Sequence, residues 1–343
     1  MTYDEVLAAA REKSSKCKVC PVCNGLACKG MVPGPGAKGD GKSFTNCVEY
    51  LRNIDIMMDP VFDNSAGQDG GVELFGRRLS MPVMGAPCGG AGMNFGCADV
   101  SEYQFTEAQV MGALQAGTIA FTPDAPQDEM YLNGIELTQK AGGMAVPTIK
   151  PWANDKILRH IRLAEDAGAV AVCCDVDSAG LINLKLLGKP VDPKSAKDLE
   201  TLISATKLPF IVKGIVTVRA AKIAAELGAY GVVISTHGGR IIPDAPATAS
   251  VIEEIRDAVG GQLKIFVDGG IRSGGDVYKC LALGADAVLI GRPVCHAAIG
   301  GGAEGVGLYF EKIKGELFDN MLITGCNTVQ QITRDKIRNR NSY

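Results

Sequence analysis

From residue 81 onward, short apolar runs recur at nearly even spacing along the chain. They read MPVMGAP (81–87), TIAFTP (118–123), GMAVPTI (143–149), AVAVCCDV (169–176), PFIVKGI (209–215), GVVISTH (231–237), KIFVDGGI (264–271) and AVLIGRP (287–293). Each is bounded by Gly or Pro and apolar at odd and even positions alike. That is the pattern of a strand buried on both faces of a parallel sheet. Between the runs lie stretches of helical period: VRAAKIAAELG (218–228) and GGDVYKCLALG (274–284) set Ala, Ile and Leu at helical spacing and stop on a glycine. Strand followed by helix, eight times over, is the count of a (β/α)8 TIM barrel. A doubly wound sheet would use fewer strands and would want a Gly-rich fingerprint at its first turn.

Residues 1–80 break that rhythm. A cysteine cluster is followed by MVPGPGAKGDGKSF, rich in Gly and Pro and without period, and then by NCVEYLRNIDI, which predicts a helix leading into the barrel. The expected organisation is a Cys-rich, Gly/Pro-rich extension over 1–42 packed on the barrel, the barrel itself over 43–335, and a tail over 336–343. The stretch from 303 onward predicts helix that closes the barrel or covers its surface.

Composition changes the picture mainly by exclusion. With 46% of 343 residues in the hydrophobic set and 21% charged, the chain can bury a large core and is not disordered. A formal charge of −3 offers no basic field for nucleic acid or an anionic membrane. No apolar run approaches the roughly 20 residues of a spanning helix. The start, MTYDEVLAAAREKSSK, has no apolar signal-peptide core. A soluble, cytoplasmic protein is the expectation, and its twelve cysteines then read as reduced thiols. Most are scattered, several of them inside apolar runs as small core residues.

The turns after the last two strands carry candidate chemistry. Strand seven ends in Asp268-Gly269-Gly270-Ile271-Arg272, and strand eight in Gly291-Arg292-Pro293. Glycines there free backbone N–H groups to approach a phosphate, and two arginines supply charge-assisted donors. Lys213 lies in the otherwise apolar strand PFIVKGI, where an ammonium is costly to bury without an anionic partner. His237 and Arg240 end strand six, and the two intervening glycines let both side chains reach one pocket. His160 and His296 read as structural.

VKGI (212–215), STHGGR (235–240) and DGGIRSGGDVYKCLALGADAVLIGRP (268–293) closely resemble the FMN-dependent α-hydroxy acid dehydrogenases and oxidases, and PVMGAPCGG (82–90) is similar to that family's first strand. The resemblance covers about residues 43 to 335. It implies FMN at the carboxyl end of a TIM barrel, its phosphate on Gly270, Arg272, Gly291 and Arg292, its ribityl chain on Asp268, and Ala86, Pro87, Thr122 and Gly269 among the other cofactor-binding residues. Lys213 would stabilise the reduced flavin, His237 would take the hydroxyl proton, and Arg240 would orient a carboxylate. The implied activity is oxidation of a 2-hydroxy acid, or a related small carboxylate, to the 2-oxo acid, with an unidentified electron acceptor and a homo-oligomeric assembly.

The pattern departs from the family in three places. MVPGPGAKGDGKSF lacks the tyrosine that family members place before the barrel. DVDSAGLINLKLLG offers Lys185 where a second arginine is usual. VPTIKPW replaces Gln-Leu-Tyr, so Lys150 or Trp152 would face the pocket instead of tyrosine. Half of the usual substrate cage is thus exchanged. An FMN-dependent isomerase like the type 2 isopentenyl diphosphate isomerases, with Lys150 and Lys185 holding a diphosphate, is the second reading. A non-catalytic flavin or metal sensor is the third.

Cys17-x2-Cys20-x2-Cys23-x4-Cys28 sets four thiols in one short stretch. Each two-residue gap can turn two sulfurs onto one metal, and the run differs from a bacterial ferredoxin run only in its last gap. Zinc and an iron–sulfur cluster both remain open, as do free thiols in a flexible leader.

Overall fold

The computed structural model describes residues 1–340. Eight parallel strands close into a barrel: β1 (Val83–Gly85), β2 (Ala120–Thr122), β3 (Ala145–Ile149), β4 (Val172–Asp175), β5 (Phe210–Ile215), β6 (Gly231–Ile234), β7 (Lys264–Asp268) and β8 (Ala287–Ile290). Every one of the eight apolar runs supplies one strand, and β8 closes on β1 through Val288 and Val83. The strands are short and buried throughout, save for a half-buried Lys264 and Gly214. Helices Val218–Glu226 and Gly274–Ala282 follow β5 and β7. The second starts on a capping box in which Ser273 accepts from the Asp276 amide.

One local device positions the site. The register between β5 and β6 shifts between Lys213 and Ile215, a bulge centred on Gly214, whose φ of 101° only glycine adopts without strain. A Cβ there would lie 2.5 Å from the Asp177 side chain. The missing side chain therefore lets the loop after β4 close against β5.

The leader is built into the molecule. Helix Tyr3–Lys13, opened by a Thr2–Glu5 capping box, packs Val6 and Ala10 on the last long helix, Arg292–Ile323. A Cβ at Gly300 would meet the Val6 carbonyl oxygen at 1.9 Å, so the two backbones touch. Helix Lys42–Arg52 leads into the barrel as expected, then Ile54–Ile56 pairs antiparallel with Ile337–Asn339. The tail departs from the expectation of continuous helix: the long helix kinks at Gly302 and ends at Ile323. The chain then returns as a short strand that sets Ile337 opposite Ile56 and Asn339 opposite Ile54. A hairpin, Val72–Leu74 with Arg77–Leu79, is a further element that the apolar runs did not mark. Its turn residue Phe75 packs on Tyr230 and Phe266 beneath the barrel.

Candidate active site

All eight strands end on one cavity of about 330 Å³, the face where barrel enzymes place their chemistry. Ala86, Pro87, Lys213, His237, Arg240, Asp268, Gly269, Gly270, Arg272, Gly291 and Arg292 all line it. Thr122 does not. Its hydroxyl would lie 2.7 Å from a Cβ at Gly134 and has no hydrogen-bond partner, so the side chain points outward to helix Asp128–Lys140. Strand alternation puts neighbouring side chains on opposite faces, and Thr122 falls on the outer one. Lys185 is likewise exposed and outside the lining, which Leu181, Asn183, Leu184 and Leu187 provide from the same loop.

At the centre lies a buried network of charges. Asp175, 1% exposed, accepts from Lys150 Nζ at 2.6 Å and from Lys213 Nζ at 3.2 Å. Lys213 also donates to Ser235 Oγ at 3.0 Å, and Ser235 donates to Asp268 Oδ2 at 2.8 Å. His237 Nδ1 sits 3.2 Å from Asp177 Oδ1 and 3.5 Å from Asp175 Oδ1. The backbone N–H of His237 donates to Ser235 Oγ at 3.1 Å, fixing the ring's approach. Asp124 accepts from the Lys150 amide at 2.8 Å and from Trp152 Nε1 at 2.7 Å. Of the two residues expected in the tyrosine's place, Lys150 lines the cavity, while Trp152 lies outside the lining and braces Asp124, which is part of it.

Electrostatics follow from this packing. Burial alone would raise the Asp175 carboxyl, but Lys150, Lys213 and His237 outweigh it and hold it well below the usual range. Burial would lower His237, yet Asp175 and Asp177 raise it above the ordinary histidine value. Burial would lower Lys213 too, and Asp175 with Asp268 keeps it firmly charged. Arg240 is brought down to about 10 by burial and by neighbouring Arg292. It remains a cation at neutral pH; its Nη2 donates to the Gly34 carbonyl at 2.7 Å, and its buried Nε has no partner. Such a guanidinium is suited to an incoming carboxylate.

Asp175, Asp177 and His237 also offer ligand atoms within 4.8 Å of one another. The ammonium groups of Lys150 and Lys213 already supply the positive charge an ion would bring. Sequence reasoning missed Asp124, Asp175, Asp177 and Ser235. A carboxylate at the end of an otherwise apolar strand was the available signal, the same one that singled out Lys213.

At the phosphate end, Gly270 (φ 82°) passes so close to helix Lys42–Arg52 that a Cβ would lie 2.3 Å from the Cys47 carbonyl oxygen. Arg272 and Arg292 both lie over the Phe44 ring, at 5.5 and 3.9 Å from its centroid. His160 is structural as expected, stacked on Tyr131 at 4.0 Å, with burial taking its pKa to about 4. The other histidine in that class, His296, instead lines a second, smaller cavity, together with Cys17, Cys20, Cys23 and Cys28.

Comparison with known proteins agrees with this geometry. Residues 183–339 match the model of the FMN-dependent dehydrogenase family. A peroxisomal (S)-2-hydroxyacid oxidase of Arabidopsis thaliana is 45% identical over 147 residues, 43% of this chain and 40% of that protein. An L-lactate oxidase of Roseobacter sp. (strain GAI101) is 35% identical over 242 residues, 68% of this chain and 60% of that one. The match thus spans about two fifths of the length of the first of these relatives. Among solved structures, mandelate oxidase with (S)-2-phenylpropionate superposes with a TM-score of 0.79 at 26% identity, covering 98% of this chain and 97% of that one. Among the described residues, no helix is long and apolar enough to cross a membrane.

Proposed function

The chain belongs to the family of FMN-dependent dehydrogenases, and from that premise we propose that it oxidises a 2-hydroxy acid to the 2-oxo acid. The residues present fit the flavin. A glycine cradle at Gly269, Gly270 and Gly291 adjoins two arginines at one end of the cavity, and a charged Lys213 stands at the other. Arg272 and Arg292 would hold the phosphate, Asp268 the ribityl chain, and the backbone at Ala86 and Pro87 one side of the ring. When bound, FMN accepts the hydride equivalent from the substrate carbon.

The protein's own groups do the rest. Arg240 pairs with the substrate carboxylate through its unsatisfied side. His237 takes the hydroxyl proton, and Asp177 orients the ring and stabilises the imidazolium that forms. Lys213 keeps a fixed positive charge where negative charge develops. Lys150, tied to Asp175, holds that carboxylate ionised beside the histidine. The wall opposite is apolar (Met93, Phe95, Met130, Leu181, Leu184 and Leu187). That lining favours a 2-hydroxy acid with an apolar side chain over glycolate.

The observation that carries this reading is His237, paired with Asp177 and lining one cavity with Lys213 and Arg240. The isomerase reading loses its support at Lys185, which lies outside the lining. The test is anaerobic mixing of FMN-loaded protein with a series of aliphatic and aromatic 2-hydroxy acids. Bleaching of the flavin's visible absorbance is expected, fastest with the larger apolar side chains; a flavin that no 2-hydroxy acid reduces would overturn the proposal.

A further inference from the structure

The four clustered cysteines play no part in that chemistry, yet the structure gathers them. All four are half-buried and line one cavity of about 20 Å³, whose walls also include Lys16, Lys18, Arg292 and His296. We infer that Cys17, Cys20, Cys23 and Cys28 are the ligands of a [4Fe–4S] cluster seated beside the phosphate end of the barrel mouth.

Geometry decides between the two metals that the spacing allows. A single zinc bonded tetrahedrally at about 2.3 Å would draw its four sulfurs to within about 3.8 Å of one another. Among the described residues, the one set of three or more His, Cys, Asp or Glu ligand atoms within 4.8 Å of one another is Asp175, Asp177 and His237. No three of the four sulfurs come that close, although all four face the same cavity. A four-iron cluster, bound through one cysteine at each iron, holds its sulfurs farther apart around a larger body.

The surroundings suit such a group. Four thiolates bring strong negative charge, and cations meet it from several elements: Lys16 and Lys18 on the loop, Arg272 Nη2 at 3.9 Å from Cys23 Sγ, and Arg292 in the cavity wall. His296 Nε2 lies 3.4 Å from Cys17 Sγ, placed to donate a hydrogen bond to a ligand sulfur, a contact of the kind that tunes cluster potential. The loop is also held in an unusual shape. Val19, between the first two cysteines, has φ of 42° and is 1% exposed, with its carbonyl accepting from Arg11 Nη2 at 3.0 Å. A β-branched residue in that region persists only where its surroundings fix it, as at ligand clamps.

The site is joined to the barrel mouth by backbone. Arg272 Nε donates to the Cys23 carbonyl at 2.7 Å, while Arg292 donates to Pro35 and Gly36 carbonyls at 2.7 and 2.8 Å. Ordering the cysteine loop therefore orders Arg272 directly, while Arg292 shares the cavity wall with the four cysteines. That Arg272 would also hold the FMN phosphate rests on the function proposed above; the metal site does not.

The test uses the full chain purified without oxygen, then incubated with ferric iron, sulfide and dithiothreitol, the thiol reducing part of the iron. Iron, acid-labile sulfide, zinc and FMN are measured on one sample. About four irons and four sulfides per chain are expected, with a broad absorbance at about 400 nm. Cys20→Ser should at least halve the iron and lose that band. The parent protein's own metal content keeps the inference falsifiable if that variant does not fold. Zinc at one per chain without sulfide, or no retained metal, overturns it. A cluster in a protein that takes up no FMN would uphold the metal site and sink the flavin reading instead.

Discussion

The barrel mouth and the cysteine loop both gather reactive side chains, but they are built in opposite ways. At the mouth each group arrives from a different strand, its backbone fixed by a neighbour on either side. Lys150, Asp175, Lys213, Ser235 and Asp268 then satisfy one another across the barrel. In the loop, four thiols come from one stretch whose only regular element is the single turn Leu26–Cys28. The first arrangement is preorganised by the scaffold, as catalysis requires. The second is a local motif, its thiols spaced by one loop that Arg11 and Arg272 tie down through the Val19 and Cys23 carbonyls. Breaking a mouth residue should therefore remove function or stability from a protein whose fold persists, whereas breaking the leader should act through packing.

The largest effect is expected at His237. His237→Ala should slow anaerobic flavin reduction by about 10²–10⁴-fold while leaving the thermal midpoint and FMN content near those of the parent. Reduction at the parent rate would exclude it as the base. Asp175→Asn comes next, because it leaves two buried ammonium groups without their shared anion. A loss of about 3–5 kcal/mol in denaturant-measured stability is expected. Asp175 titrates below its unfolded value, so its contribution is present above the ordinary carboxylate range and is lost as pH falls through the depressed value. The gap between parent and variant should accordingly narrow on acidification, and a gap that widened would contradict the ion-pair account.

Gly300→Ala sharpens the comparison from the leader's side. The added methyl meets the Val6 carbonyl, and overpacking of this kind costs about 1–3 kcal/mol. Limited proteolysis should then cut within residues 1–30 sooner than in the parent, with the barrel surviving. The smallest effect is a shift in pH profile. His237 is raised by Asp175 and Asp177, so the acid limb of kcat/KM should lie above the ordinary histidine value of about 6.5. Removing one anion in Asp177→Asn should move that limb to lower pH. An unmoved limb would show that Asp177 does not set the histidine's charge.

The chain's own pattern determined the architecture and much of what lines the barrel mouth. Eight apolar runs bounded by Gly and Pro became eight strands, because a strand buried on both faces must be apolar at every position. The glycines and arginines after β7 and β8, with Lys213, His237 and Arg240, were legible because strand ends in a barrel converge on one mouth. Thr122 was misplaced by one face, since the apolar run around it carries no alternation to show which side chains point inward. Tertiary structure alone decided that Lys150 and Asp175, 25 positions apart, meet as an ion pair, and that His237 meets Asp175 and Asp177 from across the barrel. It also decided that the leader clasps the two arginines of the barrel mouth, Arg272 through the Cys23 carbonyl and Arg292 through that of Pro35. Local sequence fixes which groups a strand end presents. Which of them touch depends on how the barrel closes, and the energy of a buried charge is set by those contacts.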